Sequence, residues 1–439
     1  MAALSGLSFA AVVLPLMVAI FLLTPPRWRA AALLLLSFGY FFLAAPRYVI
    51  LIAACIVTEW AGLLVMERFD DSPSVRKICL AFSVCKNMGI ILWFEWLFSQ
   101  RSILETPLGL QVFALSGIWC TLDVYRRKSP YLQNPLHLAV YCSFFPRLYQ
   151  GPMLRYQDFA PQLETPSPTL AEMGHGFSLY LQGAVKVSIL AGELHRIYLN
   201  LSAFPEAEIS VLGVWAAMLV LALSVYYYLS GLSQIAISIA QMMGLTLPKN
   251  FYYPYQSRSV EDFSGRFLIG LVHFWRSLLP GEKSERRILQ ASRILAVGAL
   301  MGLWFGLRAN YILWGIFLAL FVVAERFLYP NLLARTPTFF RRICTFLVIL
   351  SSFALFSADS LAGALQTSQQ MFGFGVANIA TSRLGYVLLS NWLFLAVGIL
   401  FSTSIISLAY GFLSKRLPKT AGVISGVSCA VMAAVLMIF

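Results

Sequence analysis

VLGVWAAMLVLALSVYYYLSGLSQIAISIAQMM, Val211 to Met243, runs without one charged side chain. It is too long and too evenly apolar for a helix lying on a soluble core. A helix needs only about 20 mostly apolar residues to cross roughly 30 Å of hydrocarbon. Working outward, Leu7–Leu23, Ala30–Ala45, Val49–Met66, Ala309–Ala324 and Val423–Phe439 are comparably apolar. Counting such blocks, and splitting the longest into two passes, predicts an all-α polytopic membrane protein. Roughly 11 to 13 membrane-embedded helices follow, re-entrant segments included. The first block reads as a spanning helix, because no basic stretch precedes it and its apolar run is long for a cleaved leader.

Composition agrees. Of 439 residues, 59% are hydrophobic and 12% charged, against about a quarter charged in soluble chains. The net charge of +13 does not point to nucleic acid. The basic residues gather in short loops, at Arg27–Arg29, Arg126–Lys128, Lys283–Arg287, Arg341–Arg342 and Lys415–Lys419. There they set topology and meet anionic membrane lipid. The seven cysteines are scattered, with no CxxC and no metal-ligand spacing among Cys and His. Neither a linker nor a repeat divides the chain, so residues 1–439 read as a single membrane domain.

Two regions are less apolar than a simple span. In the first, Asp123 ends an apolar helix and Arg126, Arg127 and Lys128 follow. Then Tyr141–Phe145 leads into Pro146 and Gly151–Pro152. Proline removes a donor and clashes with the preceding turn, so a broken helix is expected, flanked by Arg147 and Arg155. An interfacial loop anchored by aromatic residues fits the composition as well. In the second region, Ser259 is placed to cap a helix, with Asp262 three residues on. Asp262, Arg266, His273 and Ser277 then form one polar stripe at steps of four, seven and four. Such a stripe in a membrane must face protein or water, and Asp262 and Arg266 can pair. Further along, Arg308 stands in a very short turn between apolar runs, and Glu325 and Arg326 end the second run.

These regions, in this order, resemble the membrane-bound O-acyltransferase family, in its alginate O-acetylation and teichoic-acid D-alanylation branch. The matching pieces are DVYR (Asp123–Arg126), FFPRLYQGPMLRY (Phe144–Tyr156), QGAVKVSILA (Gln182–Ala191) and PKNFYYPY (Pro248–Tyr255). The helix over Ser259–Arg276, the GLWFG…ER of Gly302–Arg326 and FALFSADSLAGAL (Phe353–Leu365) complete the series. The resemblance covers a core at about 105–370. It implies a ring of helices around a thinner centre carrying 134–160 and 245–320, and a tunnel where an acyl donor meets its acceptor. Trp304, Phe305 and Trp314 would line or plug that tunnel. It also implies no bound cofactor, a donor such as acetyl-CoA or an acyl-carrier thioester, and residence in a bacterial cytoplasmic membrane. The partners it implies are lipid and an acyl-carrier or envelope-polysaccharide modification protein.

The departures fall on the chemistry. Family histidines map to Phe305, Leu268 and Leu318, and none of these side chains can take a proton at neutral pH. The chain has four histidines, His137, His175, His195 and His273. His137, His175 and His195 read as loop or boundary residues. His273 is the embedded candidate for a catalytic base, but it lies five residues past the family position. On a helix that is about 500°, roughly 140° off the expected face. Three readings result. One is a scaffold that has lost its chemistry. Another is a transferase using His273, oriented by Asp262 or Glu325. The third is a transporter or flippase built on the intramembrane ionisable residues Glu59, Lys86, Glu95, Lys186 and Arg293. For Lys86 and Glu95 taken singly, pairing inside the bundle is the simpler expectation.

Overall fold

A computed structural model describes residues 6, 9–99, 109–129, 134–148, 150–164, 166–279 and 286–438. The start of the 105–370 core and residues 283–285 of one basic loop lie outside these. Among the described residues six helices are long and apolar enough to cross a membrane: Pro26–Ala44, Pro46–Arg68, Pro73–Leu97, Val211–Met242, Ala309–Phe327 and Thr338–Ser357. Ser382–Ser390 and Trp392–Phe401 together make a seventh, bent by 68°. Shorter apolar helices occupy Phe9–Leu23, Leu110–Tyr125 and Gly422–Leu436. Proline opens many of these segments, at Pro26, Pro46, Pro73 and Pro418. Its missing N–H costs nothing in a first turn. Leu35, Leu43, Ile50 and Val57 project outward from the spans, as lipid-facing residues must.

One expectation is overturned. The longest apolar block is not two passes but one 32-residue helix, Val211–Met242. It contains no proline, and its two glycines, Gly213 in the first turn and Gly231 further along, are tolerated within a helix. At 1.5 Å per residue it is about 48 Å long, well beyond the hydrocarbon thickness.

The chain divides into two compact units, Met1–Ala184 with Leu232–Asn250, and Val185–Gly231 with Phe251–Phe439. In the first unit, helices Val49–Arg68, Pro73–Ser99 and Leu110–Tyr125 enclose the carboxylate of Glu59, which is 4% exposed. Lys86 Nζ donates to it at 2.7 Å and Asn87 Nδ2 at 3.0 Å; Ser83 and Thr121 hydroxyls donate as well. Gly117 faces this carboxyl group, and a Cβ there would stand 3.3 Å from it. Glu95 accepts from Gln111 Nε2 at 2.9 Å. Each charge in this apolar setting therefore has a partner, which is the condition for keeping it there.

The expected break near Pro146 is present. Helix Pro135–Ser143, capped by Asn134, gives way to a 3₁₀ turn over Phe145–Leu148. Gly151 then folds back against the backbone of Arg147 so closely that no Cβ fits. Tyr141 Oη donates to the Leu154 carbonyl at 2.8 Å, tying the two sides of the break.

In the second unit, helices Arg287–Leu303 and Ala309–Phe327 form a hairpin turned at residues 304–308. Gly298, Gly302 and Gly315 let the backbones touch. A Cβ on Gly315 would enter the Gly298 carbonyl, and one on Gly302 the Tyr311 carbonyl. This is the small-residue packing by which membrane helices approach each other, since burial against lipid gives them little drive.

Candidate functional site

The single helix expected over 259–276 does not form. Ser259 does cap as expected, its Oγ accepting from Asp262 N at 2.9 Å, but the helix it starts, Val260–Ser264, ends after one turn. A second helix begins at Ile269 and runs to Leu278. Between them, Tyr252 N donates to the Arg266 carbonyl at 3.0 Å and Phe251 bridges to Phe267. These contacts pull residues 265–268 out of helical geometry and leave Leu268 left-handed, at φ 52°. That conformation is costly for a branched side chain, and burial of Leu268 helps to hold it. The four-residue stripe is thereby broken. Asp262 and Arg266 still pair, at 2.6 Å. Ser277 turns back to the Phe274 carbonyl at 2.7 Å.

Glu325 holds the short helix from across the unit. Its carboxylate accepts from Val260 N at 2.7 Å and Glu261 N at 2.9 Å. A buried negative group on unsatisfied N-terminal N–H groups is well placed. The next residue, Arg326, pairs with Glu261. Glu325 is thus engaged in capping, 65 and 64 residues from its two partners in sequence.

Packed against this turn is a cavity of about 290 Å³. Phe267, Val272, Val297, Met301, Trp314 and Leu318 supply apolar wall. Glu261, Ser264, Arg276, Arg293 and Arg326 supply the polar part. These polar groups are linked. Arg276 donates to Ser264 Oγ at 3.1 Å, and Arg293 to the Arg276 carbonyl.

The position of each sequence candidate is then plain. Leu318 and Trp314 face the cavity. Phe305 and Trp304 do not line it. The Phe305 ring lies in an aromatic cluster, with ring centres 5.5 Å from Trp314, 5.2 Å from Phe356 and 6.3 Å from Tyr311. Trp314 Nε1 donates to Ser352 Oγ at 3.0 Å, which fixes the wall between cluster and cavity. Gly306, at φ 135°, makes the turn just after Phe305; side-chain-bearing residues rarely adopt it. None of the four histidines lines the cavity. His273 is exposed, although its neighbours Val272 and Arg276 line it. His175 contacts the Gln241 side chain at 3.2 Å, and His195 packs on Tyr198.

The protein-family model for the membrane-bound O-acyltransferases matches residues 121–366, more than half of the chain. The chain belongs to this family. Among curated relatives, a "probable alginate O-acetylase" of Pseudomonas aeruginosa is 27% identical, over 82% of this chain and 73% of its own length. A peptidoglycan O-acetyltransferase of Helicobacter pylori is 22% identical over 80% of this chain and 74% of its own. A teichoic acid D-alanyltransferase of Bacillus subtilis is 25% identical over 63% and 75%. The three names describe O-acetylation of alginate, O-acetyl transfer on peptidoglycan and D-alanyl transfer on teichoic acid, and the apolar helices make this member an integral membrane protein.

Sequence reasoning placed Arg147 at the break but did not foresee its burial. The side chain is 0% exposed. Its Nη2 donates to Ser116 Oγ at 2.7 Å and the Tyr141 carbonyl at 2.9 Å, and the guanidinium lies over the Tyr141 and Phe159 rings. Only the density of aromatic residues around Pro146 hinted at such a pocket.

Proposed function

We propose that this chain serves O-acylation of a cell-envelope polysaccharide in the bacterial cytoplasmic membrane as a non-transferring member of its family. In this role it binds the acyl-bearing component and a partner protein of the modification machinery. The observation that carries the reading is Phe305. It stands where the resemblance places a family histidine, half-buried in an aromatic cluster, behind a cavity wall that includes Leu318 and no imidazole. General-base catalysis needs a group within hydrogen-bond reach of the proton it removes. Leucine and phenylalanine offer none. Nothing favours the transport reading specifically, since Glu59, Lys86 and Glu95 are engaged with one another or with Gln111, as a bundle requires.

The test uses the full-length protein in membranes and after purification. Acetyl-CoA or an acyl-carrier thioester is offered as donor, with an oligosaccharide of envelope type as acceptor. No ester above background is expected, while cross-linking in membranes captures a carrier or modification protein. Ester formation by the purified chain, lost on substituting one named residue, overturns the reading.

A further inference from the structure

The break at Pro146 sets a permanent charge inside the first unit. A continuing helix would take the Phe145 N–H to the Tyr141 carbonyl, but Phe145 N donates to Ser37 Oγ at 3.3 Å. The Tyr141 carbonyl is therefore one of the acceptors that a helix end leaves open, and Arg147 Nη2 takes it at 2.9 Å. The second Nη2 bond goes to Ser116 Oγ at 2.7 Å, a hydroxyl that donates in turn to the Val112 carbonyl. Gly151 N donates to the Arg147 carbonyl at 2.7 Å and fixes the backbone of the turn. As a helix-end cap, Arg147 thus uses one nitrogen. Nε and Nη1, with three N–H donors between them, are buried and meet no acceptor among the described residues. A guanidinium keeps its charge at any physiological pH, so the loss of a proton cannot relieve its burial. Both Nη2 partners are neutral. The Tyr141 and Phe159 rings, centred 4.8 and 5.6 Å from Cζ, attract the charge but offer no lone pair. Two buried carboxylates of this unit are committed elsewhere, Glu59 to Lys86 at 2.7 Å and Asp123 to Arg155 at 3.9 Å. A buried cation with no counter-charge is strongly destabilising.

We propose that Arg147 anchors a site for one small inorganic anion of chloride size, held by Nη1 or Nε at the helix break. The ion supplies the negative charge that the neutral acceptors do not, through charge-assisted bonds about twice as strong as neutral ones. The size follows from the surroundings. Arg147 is fully buried, and Phe144, Phe145, Leu148 and Phe159 around the turn are buried as well. An ion shut in with this side chain gives up its water, and a single charge does so at less cost than a divalent oxyanion. Occupancy does not depend on whether the protein transfers acyl groups, so the inference stands apart from the scaffold reading.

Full-length protein in neutral detergent and gluconate buffer is titrated with chloride, bromide or acetate at constant ionic strength, and thermal unfolding is recorded. Either halide should raise the melting temperature saturably, because an ion that binds only the folded state stabilises it by mass action. Arg147→Gln should abolish the saturable rise. Ser116→Ala removes one neutral acceptor and leaves Nε and Nη1 in place, so it should keep the rise, with affinity changed by about tenfold or less. Arg147→Gln also withdraws a helix-end cap. Should that variant fail to fold, anomalous scattering from bromide-grown crystals of the unaltered protein decides, and a bromide peak within hydrogen-bond reach of Arg147 Nη1 or Nε is the expected result. Bromide at exposed arginines only, ordered water alone on Nε and Nη1, equal melting in chloride and gluconate, or a halide response that survives Arg147→Gln overturns the proposal. Stabilisation by acetate and not by halide overturns the size assigned to the ion.

Discussion

The surroundings of Glu59 and of Phe305 are opposite answers to one problem. Around Glu59, a charge sits deep in an apolar bundle, and three helices supply donors until it is satisfied. Around Phe305, which the resemblance aligns with a family histidine, a half-buried phenyl ring packs among aromatic side chains. A buried ionisable group in a membrane is a fair pointer to function, yet here the most conspicuous one is structural. On the proposed reading, the functional statement is made by an apolar residue. Glu59 has its partners within the bundle, whereas the cavity beside Trp314 joins an apolar wall to three arginines.

Substitutions break this comparison in order of size. Glu59→Ala should be the most damaging, because it strands Lys86 in the bundle; removing one partner of a buried pair costs roughly 3–5 kcal/mol. Thermal unfolding in detergent should show this, and Glu59→Leu combined with Lys86→Met should recover most of the loss. Lys86→Met alone strands Glu59 and should also be damaging; an unchanged melting temperature for that single variant would argue against the pairing. Next is Gly315→Val, which drives a side chain into the Gly298 carbonyl. Overpacking of about 1–3 kcal/mol is expected, with the loss confined to the second unit in hydrogen exchange. Phe305→His puts a polar ring among Trp314, Tyr311 and Phe356, at a cost of about 1–3 kcal/mol if its nitrogens find no partner. An unchanged melting temperature would mean that the aromatic cluster already accepts a polar ring. Smallest is Arg326→Gln. Its pair with Glu261 is more than a third exposed on both sides, and such pairs contribute less than about 1 kcal/mol. A melting temperature that falls by more than such a pair explains would mean that Arg326 braces the 260–264 turn more than its exposed contact suggests.

Much of this was legible in the sequence, for reasons tied to range. Apolar blocks mark spans because hydrocarbon tolerates little else. The break at Pro146 and Gly151, the Ser259 cap and the Asp262–Arg266 pair are all set within a few residues. What escaped was decided at a distance. The helix over 259–276 divides because Phe251 and Tyr252 pair with Phe267 and Arg266, a tertiary contact that no local pattern announces. Glu325 caps a turn 65 residues away, and Lys86 finds Glu59 across 27. The division of Val211–Met243 into two passes failed for the opposite reason. Length suggested a break, but no residue there makes one. Of the site, Phe305, Leu268 and Leu318 were singled out by position within the resemblance alone, and the proposed loss of the base rests on them. That His273 would be exposed while Arg276, one turn on, faces the cavity depended on where the second helix begins.

The central claim is that this family member has given up its base. It is tested most directly by thioester consumption, measured on the purified wild-type chain beside His273→Ala. Equal, background rates for the two proteins are the predicted result. Turnover by the wild type that disappears with His273 would contradict it.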